Sequence, residues 1–351
     1  MSNAVSIAQS GANNVTMRNR IINGGMVINQ RATSVTDAGF ITDRWQYTPS
    51  LASKATISQD TSVYPTGFNA SLKVLSSSAY TVGASELFIV RQAIEGFNVA
   101  DLGWGFAGAQ PVTISFWVRS SLTGTFGGAV ENLGIDRCYV FSYSIPAANT
   151  WTQITITIAG DTTGTWNTTN AVGIRVSFSL GTGSSYSGSA GSWGSTRYFS
   201  ATGAVSVVGT NAATWYITGV QLEKGTTATP FEQRLYGTEL ALCQRYYSKS
   251  YLQTVVPGTA SATGAPARFV DAVSNYASIQ IFFPQSMRTT PTVTPYNPST
   301  GTVNQIRTDS QNLSAAVSDP GPVGCFIHVT NAPVSYVSDS TRVHFTASAE
   351  L

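Results

Sequence analysis

Apolar and polar residues alternate along most of this chain. Ile154, Ile156 and Ile158, for example, are separated by single polar residues. A period of two places successive side chains on opposite faces of a β-strand, so each such run predicts a strand with one buried and one polar face. The runs recur between clusters of Gly, Ser, Asn and Pro without intervening helical stretches, which is typical of antiparallel sandwiches. We therefore predict an all-β protein with a jelly-roll-like β-sandwich over residues 21–236.

One short stretch, ELALCQRYYS at residues 239–248, breaks this pattern. Its apolar residues follow helical spacing, and Thr238 is placed to cap the first turn beside Glu239. A helix that is apolar on most sides has to be covered on most sides. We therefore predict a connecting helix over residues 237–250, at a joint between two β-rich modules. The side chains expected to be buried in this joint are Leu240, Leu242, Cys243 and Tyr246.

Two further segments complete the predicted organisation. Strand-like runs resume after the helix and predict a smaller antiparallel β-sandwich over residues 251–351. Residues 1–20 are polar and weakly patterned, so we expect a leader that is flexible or ordered by a partner. The stretch NRIINGGMVINQR follows it, and the Asn-Gly-Gly turn between apolar pairs predicts a first hairpin or the entry to a first strand. The Gly/Ser-rich interval at 180–199 is expected to form a long loop on the rim of the sandwich.

Composition narrows the class of function. Charged residues make up 10% of the chain and the formal net charge is +2, so neither a polyanion-binding groove nor an acidic tail is indicated, and we expect no nucleic-acid partner. The N-terminal residues lack the apolar segment of a signal peptide and no run is long enough to span a membrane, so we expect synthesis in the cytoplasm and no membrane insertion. Cys138, Cys243 and Cys325 lie far apart without a CxxC motif, which indicates neither a disulfide framework nor a metal site. No cofactor or structural calcium ion is indicated.

Catalytic motifs are sparse. The stretch GWGFAG at 103–108 matches the glycine pattern of a dinucleotide-binding loop, but a strand follows it, so we interpret it as a glycine-rich loop. His328 and His344 lie in alternating, strand-like runs, and no GxSxG motif occurs. We therefore expect no enzymatic activity, although a glycosidase needs only two nearby carboxylates. The acidic residues that could supply such a pair are Asp43, Glu86, Glu95, Asp101, Glu131 and Asp136.

Aromatic residues point to a binding site. Trp45, Trp117, Trp151 and Trp215 lie in or beside alternating strands, where a core role is favoured. Other aromatic residues lie among Gly, Ser, Thr and Asn in predicted loops, where a flat ring can cover the C–H face of a sugar while polar neighbours bond its hydroxyl groups. The alternative, that these rings cover the ends of the sandwich or contact another subunit, stays open. The candidate glycan-binding residues are Trp104, Trp166, Asn167, Tyr186, Trp193 and Arg197.

Three stretches resemble a module found in tail fibres and tail-associated proteins of tailed bacteriophages. They are NRIINGGMVINQR, FITDRWQY and WYITGVQLEKGTTATPFEQRLYGTELALCQRYYSKSY, within which ELALCQRYY is the most specific signal. The second half of the chain, with FPQSMRTTPTVTPYNPSTG and HFTASAEL, resembles the domain that often follows this module. The likeness covers residues 19–48 and 214–351, whereas the middle of the chain is similar only in pattern.

The resemblance implies a carbohydrate-binding-like jelly roll within a homotrimer in the virion tail. The implied partners are other phage tail or baseplate proteins, reached through residues 1–20, and a host-surface polysaccharide. It supplies no catalytic residue for any position of this sequence. The leading expectation is a non-enzymatic tail-fibre protein that recognises host glycan through loop aromatics. Two alternatives stay open: a purely structural tail or baseplate component, and a polysaccharide-degrading tail enzyme.

Overall fold

A computed structural model describes residues 17–270, 278–308, 311–330 and 339–351 of this protein. Nearly all regular structure in these ranges is β-strand, with a single α-helix, α1 (Tyr236–Gln244), and three short 3₁₀ turns. The all-β fold class predicted from the alternating pattern is therefore confirmed. Most of the predicted leader, residues 1–16, lies outside the described residues.

The first fifteen strands build the larger β-sandwich and its loops. They are β1 (Ser34–Val35), β2 (Gly39–Phe40), β3 (Gln46–Pro49), β4 (Ala55–Asp60), β5 (Ser71–Ser76), β6 (Leu87–Glu95), β7 (Val112–Ser120), β8 (Gly124–Glu131), β9 (Cys138–Ile145), β10 (Thr152–Ile158), β11 (Val172–Thr182), β12 (Ser187–Gly188), β13 (Trp193–Gly194), β14 (Ser200–Ala201) and β15 (Thr214–Lys224). Sheet I has the six-strand order β1-β4-β5-β15-β7-β10, and sheet II has the seven-strand order β13-β9-β8-β11-β6-β3-β2. Strands that are distant in sequence, such as β5 and β15, lie side by side, as Greek-key-type connections require.

The core of this sandwich lies between sheets I and II, where alternate residues of both sheets meet. Trp45 and Trp215 are fully buried, with ring centroids 6.2 and 6.1 Å from that of Phe178, so their predicted core role is confirmed. Burying a large apolar side chain stabilises the fold by about 1.5–3 kcal/mol. Trp117 and Trp151 are only half-buried, and Trp117 lies on the outer face of sheet I because it alternates with core residues of β7.

The stretch NRIINGGMVINQR forms no strand, so the predicted hairpin or strand entry is wrong. It is an irregular segment whose residues are mostly buried and whose polar groups are satisfied by side chains. Asn19 Nδ2 donates to the Val220 carbonyl over 3.1 Å, and Asn23 Nδ2 donates to the Ile28 and Asp43 carbonyls over 2.8 and 3.0 Å. Buried backbone outside sheets and helices needs such partners, because an unpaired buried polar group is costly.

Helix α1 follows the sandwich, but it differs from the predicted helix at both ends. Leu235 occupies the N-cap position, so Thr238 does not cap it, and the helix ends at Gln244 rather than near residue 250. Cys243 and Tyr246 are fully buried, whereas Leu240 and Leu242 are half-buried. These four side chains pack with Ile22, Ile28 and Leu351, so the helix does lie against segments from both ends of the chain.

The remaining strands form the second β-rich module. They are β16 (Tyr247–Lys249), β17 (Ala267–Val270), β18 (Ser278–Phe282), β19 (Thr292–Tyr296), β20 (Gln305–Thr308), β21 (Asn312–Gly321), β22 (Gly324–Val329), β23 (Asp339–Arg342) and β24 (His344–Ser348). Three of them pair in the order β16-β24-β19, and six pair in the order β17-β23-β20-β21-β22-β18. Ile281, Ile306, Ile327 and Phe345 belong to a separate apolar core, so this module has its own interior.

Candidate functional site

Three of the predicted loop aromatics meet at one end of the sandwich, and we call them the tryptophan cluster. The ring centroid of Trp104 lies 4.7 Å from that of Trp166 and 5.2 Å from that of Trp193, which are themselves 5.4 Å apart, all in edge-on contacts. Each indole Nε1 donates to a backbone carbonyl, over distances between 2.7 and 3.1 Å. Trp104 is only 4% exposed, whereas the other two rings are half-buried. Much of the surface of each ring is therefore buried against the other two rings.

The GWGFAG stretch holds Trp104 in this position. Gly105 has a φ of +90°, and a Cβ there would lie 2.8 Å from the Gly164 carbonyl oxygen, so only glycine allows this close approach. The Gly105 N–H donates to the Asp161 carbonyl, and the Asp161 carboxylate accepts two hydrogen bonds from Arg137 at 2.6 and 2.8 Å. Burial alone would raise the pKa of Asp161, but the bonds from Arg137 and from Thr163 lower it below its ordinary value. The stretch is thus a glycine-rich packing loop.

The other three predicted residues are divided between two places. Asn167 lines a cavity of about 10 Å³ beside Trp104 and Trp166, which has room for about one water molecule. Tyr186 packs edge-on against Phe199 with ring centroids 5.6 Å apart. The Arg197 guanidinium lies 4.6 Å from the centroid of the same Phe199 ring. Tyr186 and Arg197 therefore do not share a site with the tryptophan cluster.

The Gly/Ser-rich loop crosses the outer face of sheet II and does not stay on the rim as predicted. β14 lies directly over β8, where a Cβ on Gly127 would be 2.3 Å from Ser200 Oγ and 2.6 Å from the Ala201 nitrogen. Ala129 and Ala201 are buried together at this contact, and the Cys138 thiol donates to a loop carbonyl over 3.0 Å. Small residues on the outer face of β8 therefore let the loop pack onto the sheet.

Beside this loop, the outer face of sheet II is open as a groove of about 320 Å³, which we call the arginine groove. Its walls come from β3, β6, β11, the turn after β8 and the Gly/Ser-rich loop. The apolar lining residues are Leu87, Ile89, Ile135 and Phe199, and the polar ones are Thr48, Arg91, Arg175 and Arg197. Strand alternation turns these β6 and β11 side chains outward, since their neighbours Val90 and Val176 belong to the core.

A buried carboxylate organises the charges of the groove. Glu131 is 1% exposed at its side chain and accepts two hydrogen bonds from Arg197, from Nε over 2.9 Å and from Nη2 over 3.2 Å. The Arg197 guanidinium also lies 4.6 Å from the Phe199 ring centroid, a cation–π distance. Arg175 Nη1 is 3.6 Å from Glu131 Oε1, and Arg91 Nε donates to Gln46 Oε1 over 2.9 Å. Two guanidinium groups thus lie within 4 Å of one carboxylate, and a third lines the same groove.

A second group of charges, the buried joint, connects the sandwich with α1 and with the last strand. Glu95 accepts hydrogen bonds from Arg245 Nη2 over 2.6 Å and from the Tyr246 hydroxyl over 2.7 Å. Glu350 pairs with two arginines, Arg31 and Arg44. Most of these residues lie in the stretches that carry the phage-tail resemblance, which therefore meet in space although they are far apart in sequence.

Each carboxylate considered for a glycosidase pair is engaged in an ion pair or a hydrogen bond. Asp43 and Glu95 belong to the buried joint, and Glu131 is buried in the arginine groove. Each of the other three accepts a hydrogen bond elsewhere in the sandwich. Asp101 accepts from Arg20, Glu86 from Tyr80, and Asp136 from Asn132.

His344 forms a serine–histidine contact in the second module. Its Nδ1 is 2.8 Å from Ser250 Oγ, its Nε2 is 2.9 Å from the Ser261 carbonyl oxygen, and its ring stacks on that of Tyr251 at 3.8 Å. A catalytic triad would orient this ring with a carboxylate, whereas here a backbone carbonyl holds it. Burial lowers the pKa of His344. Its placement in β24, and that of His328 in β22, agree with the predicted strand positions.

Two further findings concern the described residues. No group of three or more His, Cys, Asp or Glu side chains is arranged there to hold a metal ion, and the three cysteines are buried free thiols. No helix in the described ranges has both the length and the apolar character needed to cross a lipid bilayer.

Comparison with known proteins gives no family. No family model matches the sequence, and no curated protein sequence matches it. Among solved structures, the enzymatically active domain of tailspike protein 4 from bacteriophage CBA120 is 13% identical with a TM-score of 0.32, and the match covers 59% of this chain and 21% of that chain. TmCBM61 in complex with β-1,4-galactotriose is 12% identical with a TM-score of 0.32, covering 59% of this chain and 99% of that chain. The N-terminal cellulose-binding domain of Cellulomonas fimi β-1,4-glucanase C is 16% identical with a TM-score of 0.29, covering 56% and 97%. Likenesses at this level assign neither a family nor a ligand to this chain.

Proposed function

We propose that this protein is a non-enzymatic glycan-binding protein and that the arginine groove is its binding site. The observation that carries this proposal is a concavity of about 320 Å³ that combines guanidinium donors with two accessible aliphatic side chains, Leu87 and Ile135, while Ile89 and Phe199 are buried beneath it. Ligand sites are typically concave, largely apolar and furnished with a few fixed polar groups. A sugar ring offers both matching features, because its C–H faces are apolar and its hydroxyl groups accept hydrogen bonds.

The groove fits this role better than the tryptophan cluster does. Trp104 is buried, its two ring neighbours are half-buried, and all three indole N–H groups donate to backbone carbonyls. The adjoining cavity of about 10 Å³ is far too small for a sugar ring. Of the six residues proposed from the sequence, Arg197 is the one that lines the groove.

We also propose a place for the protein in the virion tail of a bacteriophage, as a homotrimer docked to other tail proteins through residues 1–20. What supports this is the phage-tail resemblance, together with the finding that its separate stretches pack against one another. Arg234 donates to the Asn19 and Ile21 carbonyls, and Glu239 accepts from the Asn23 N–H. Three copies would convert weak single sites into strong attachment by avidity.

The experiment is retention of the full-length protein on a panel of bacterial capsular and O-antigen polysaccharides. Thr48→Trp places a large side chain in the groove without changing charge, since Thr48 lines it from β3. Thr155→Trp is the matched control, because Thr155 is exposed on β10 of sheet I. We expect the first variant to lose retention and the second to keep it. Retention of nothing on the panel, or equal retention by both variants, would contradict the proposed site.

The same panel separates binding from hydrolysis. Each retained polysaccharide is incubated with the protein and assayed for new reducing ends over many hours. A non-enzymatic protein releases none, whereas release of reducing ends that depends on the protein would support the tail-enzyme alternative.

A further inference from the structure

We propose that the glycan held in the arginine groove is acidic, with an anionic group such as a carboxylate, sulfate or phosphate bound between Arg91 and Arg175. This inference rests on the proposed glycan-binding function and specifies the class of its ligand. It follows from the charge balance of the groove and from the hydrogen-bonding capacity that remains there.

The register of sheet II brings these two arginines together. Arg175 on β11 lies directly opposite Glu131 on β8 and Ala93 on β6, while Arg91 lies opposite Ser177. Arg91 and Arg175 are therefore diagonal neighbours on one face, a relation within reach of long side chains.

Glu131 offsets only part of the positive charge, because one carboxylate pairs with Arg197 and, at 3.6 Å, with Arg175. Arg197 takes both of its carboxylate oxygens, at 2.9 and 3.2 Å. Arg175 Nη1 is buried without a hydrogen-bond partner among the described residues, since Glu131 Oε1 is 3.6 Å away. Arg91 bonds to the uncharged amide of Gln46, and it forms no ion pair within the described part of the chain. The groove therefore carries two more positive charges than negative ones.

The pKa directions agree with this geometry. Burial lowers the pKa of Arg91, and the positive charge of Arg175 lowers it further. Burial also lowers the pKa of Arg175, with Glu131 opposing this effect and Arg197 adding to it. Like charges that are buried together favour a bound anion, and the planar guanidinium fork matches the oxygens of a carboxylate, sulfate or phosphate.

The test compares acidic polysaccharides with their neutral counterparts, using the full-length protein. The pairs are polygalacturonate and its carboxyl-reduced form, dextran sulfate and dextran, and phosphomannan and mannan. Each acidic polysaccharide retained from the panel is likewise compared with a form from which its carboxylate, sulfate or phosphate charge has been removed. We expect at least one acidic polysaccharide to bind at least about tenfold more tightly than its neutral partner, because the neutral form cannot make the charge-assisted hydrogen bonds to the arginines. The pair that shows this difference identifies the anionic group.

Matched variants locate the effect. Arg91→Gln and Arg175→Gln should each weaken binding of the acidic glycan by about tenfold, with little effect on any neutral one. Arg91→Gln is the safer variant for folding, because its partner Gln46 is uncharged. Arg119→Gln is the control, since it removes the same charge from β7 of sheet I.

The outcomes distinguish this inference from the proposed function. Equal binding of acidic and neutral members, or acidic binding that Arg91→Gln and Arg119→Gln reduce alike, overturns the inference and leaves glycan binding intact. Failure to bind any polysaccharide overturns both. If Arg175→Gln lowers the melting temperature and neither arginine variant alters binding, the arginines only brace the loop, and the inference is wrong.

Discussion

Replacing Trp104 with alanine distinguishes a structural tryptophan cluster from a binding surface. Trp104 is 4% exposed and makes edge-on contacts at 4.7 and 5.2 Å with its two neighbours. Truncating a buried aromatic side chain costs about 3–5 kcal/mol, and edge-on aromatic contacts account for about 0.5–1.5 kcal/mol each. We therefore expect a loss of about 3–5 kcal/mol in the free energy of unfolding. At about 2–4 °C per kcal/mol for a unit of 150–250 residues, the melting temperature should fall by roughly 6–20 °C.

The measurement is calorimetric melting of Trp104→Ala alongside glycan retention below the melting temperature. Trp151→Ala is the control, because that ring is half-buried and lies 6.3 Å from the ring of Tyr216. We expect Trp104→Ala to melt well below Trp151→Ala while the folded protein still binds glycan. If the two variants melt alike and Trp104→Ala alone has lost glycan binding, the tryptophan cluster is the site and the argument for the groove fails.

Three further predictions test the packing and the charges. Tyr246→Phe removes the hydroxyl bonded to Glu95 and should lower the free energy of unfolding in urea by about 1–3 kcal/mol, so an unchanged value would contradict the buried joint. The lowered pKa of Asp161 implies stability that is present above its unfolded pKa of 3.8 and lost as pH falls through the folded value. The wild-type protein should therefore lose more stability than Asp161→Asn on acidification, and identical pH profiles would refute this. Burial raises the pKa of Cys138 and Cys325 to about 11, so iodoacetamide at pH 8 should label neither until the protein unfolds, and rapid native labelling would show that they are accessible.

The fold class was predictable because its signal is local. Strand alternation in runs such as 154–158 depends only on neighbouring residues, and it gave both the β character and the inner face of many strands. The segment NRIINGGMVINQR lacks such a signal, because its partners are distant. Asn19 donates to a carbonyl 201 residues away, and the Asn23 N–H donates to Glu239 of α1, 216 residues later. A turn motif between apolar pairs is common to hairpins and to buried irregular segments, so the pattern could not separate them.

The candidate site was predictable only in part, for a related reason. The sequence grouped Trp104, Trp166 and Trp193 by their loop environment, but mutual burial depends on how three loops converge. The arginines of the groove follow no characteristic spacing in the sequence, since they come from β6, β11 and a long loop. One signal did exist: Arg91 and Arg175 are charged residues at outward positions of strands whose inward residues are mostly apolar. A charged residue at an outward position is ordinary on a solvated sheet face. Only the strand register shows that Arg91 and Arg175 are neighbours on the same face of sheet II.

In the proposed binding site, two of the three guanidinium groups are each held by a neighbouring side chain. Three neighbouring guanidinium groups repel one another, and a buried carboxylate offsets part of this repulsion only where its geometry is good. Arg197 meets that condition through two hydrogen bonds and the Phe199 ring, and in doing so it fixes the loop that forms one wall. Arg91 is held by Gln46, so its charge is oriented before any ligand arrives. Groups fixed in this way lose little freedom on binding, which favours affinity. An excess of buried positive charge disfavours the folded state by itself, and proteins keep such locally unfavourable arrangements mainly at functional sites.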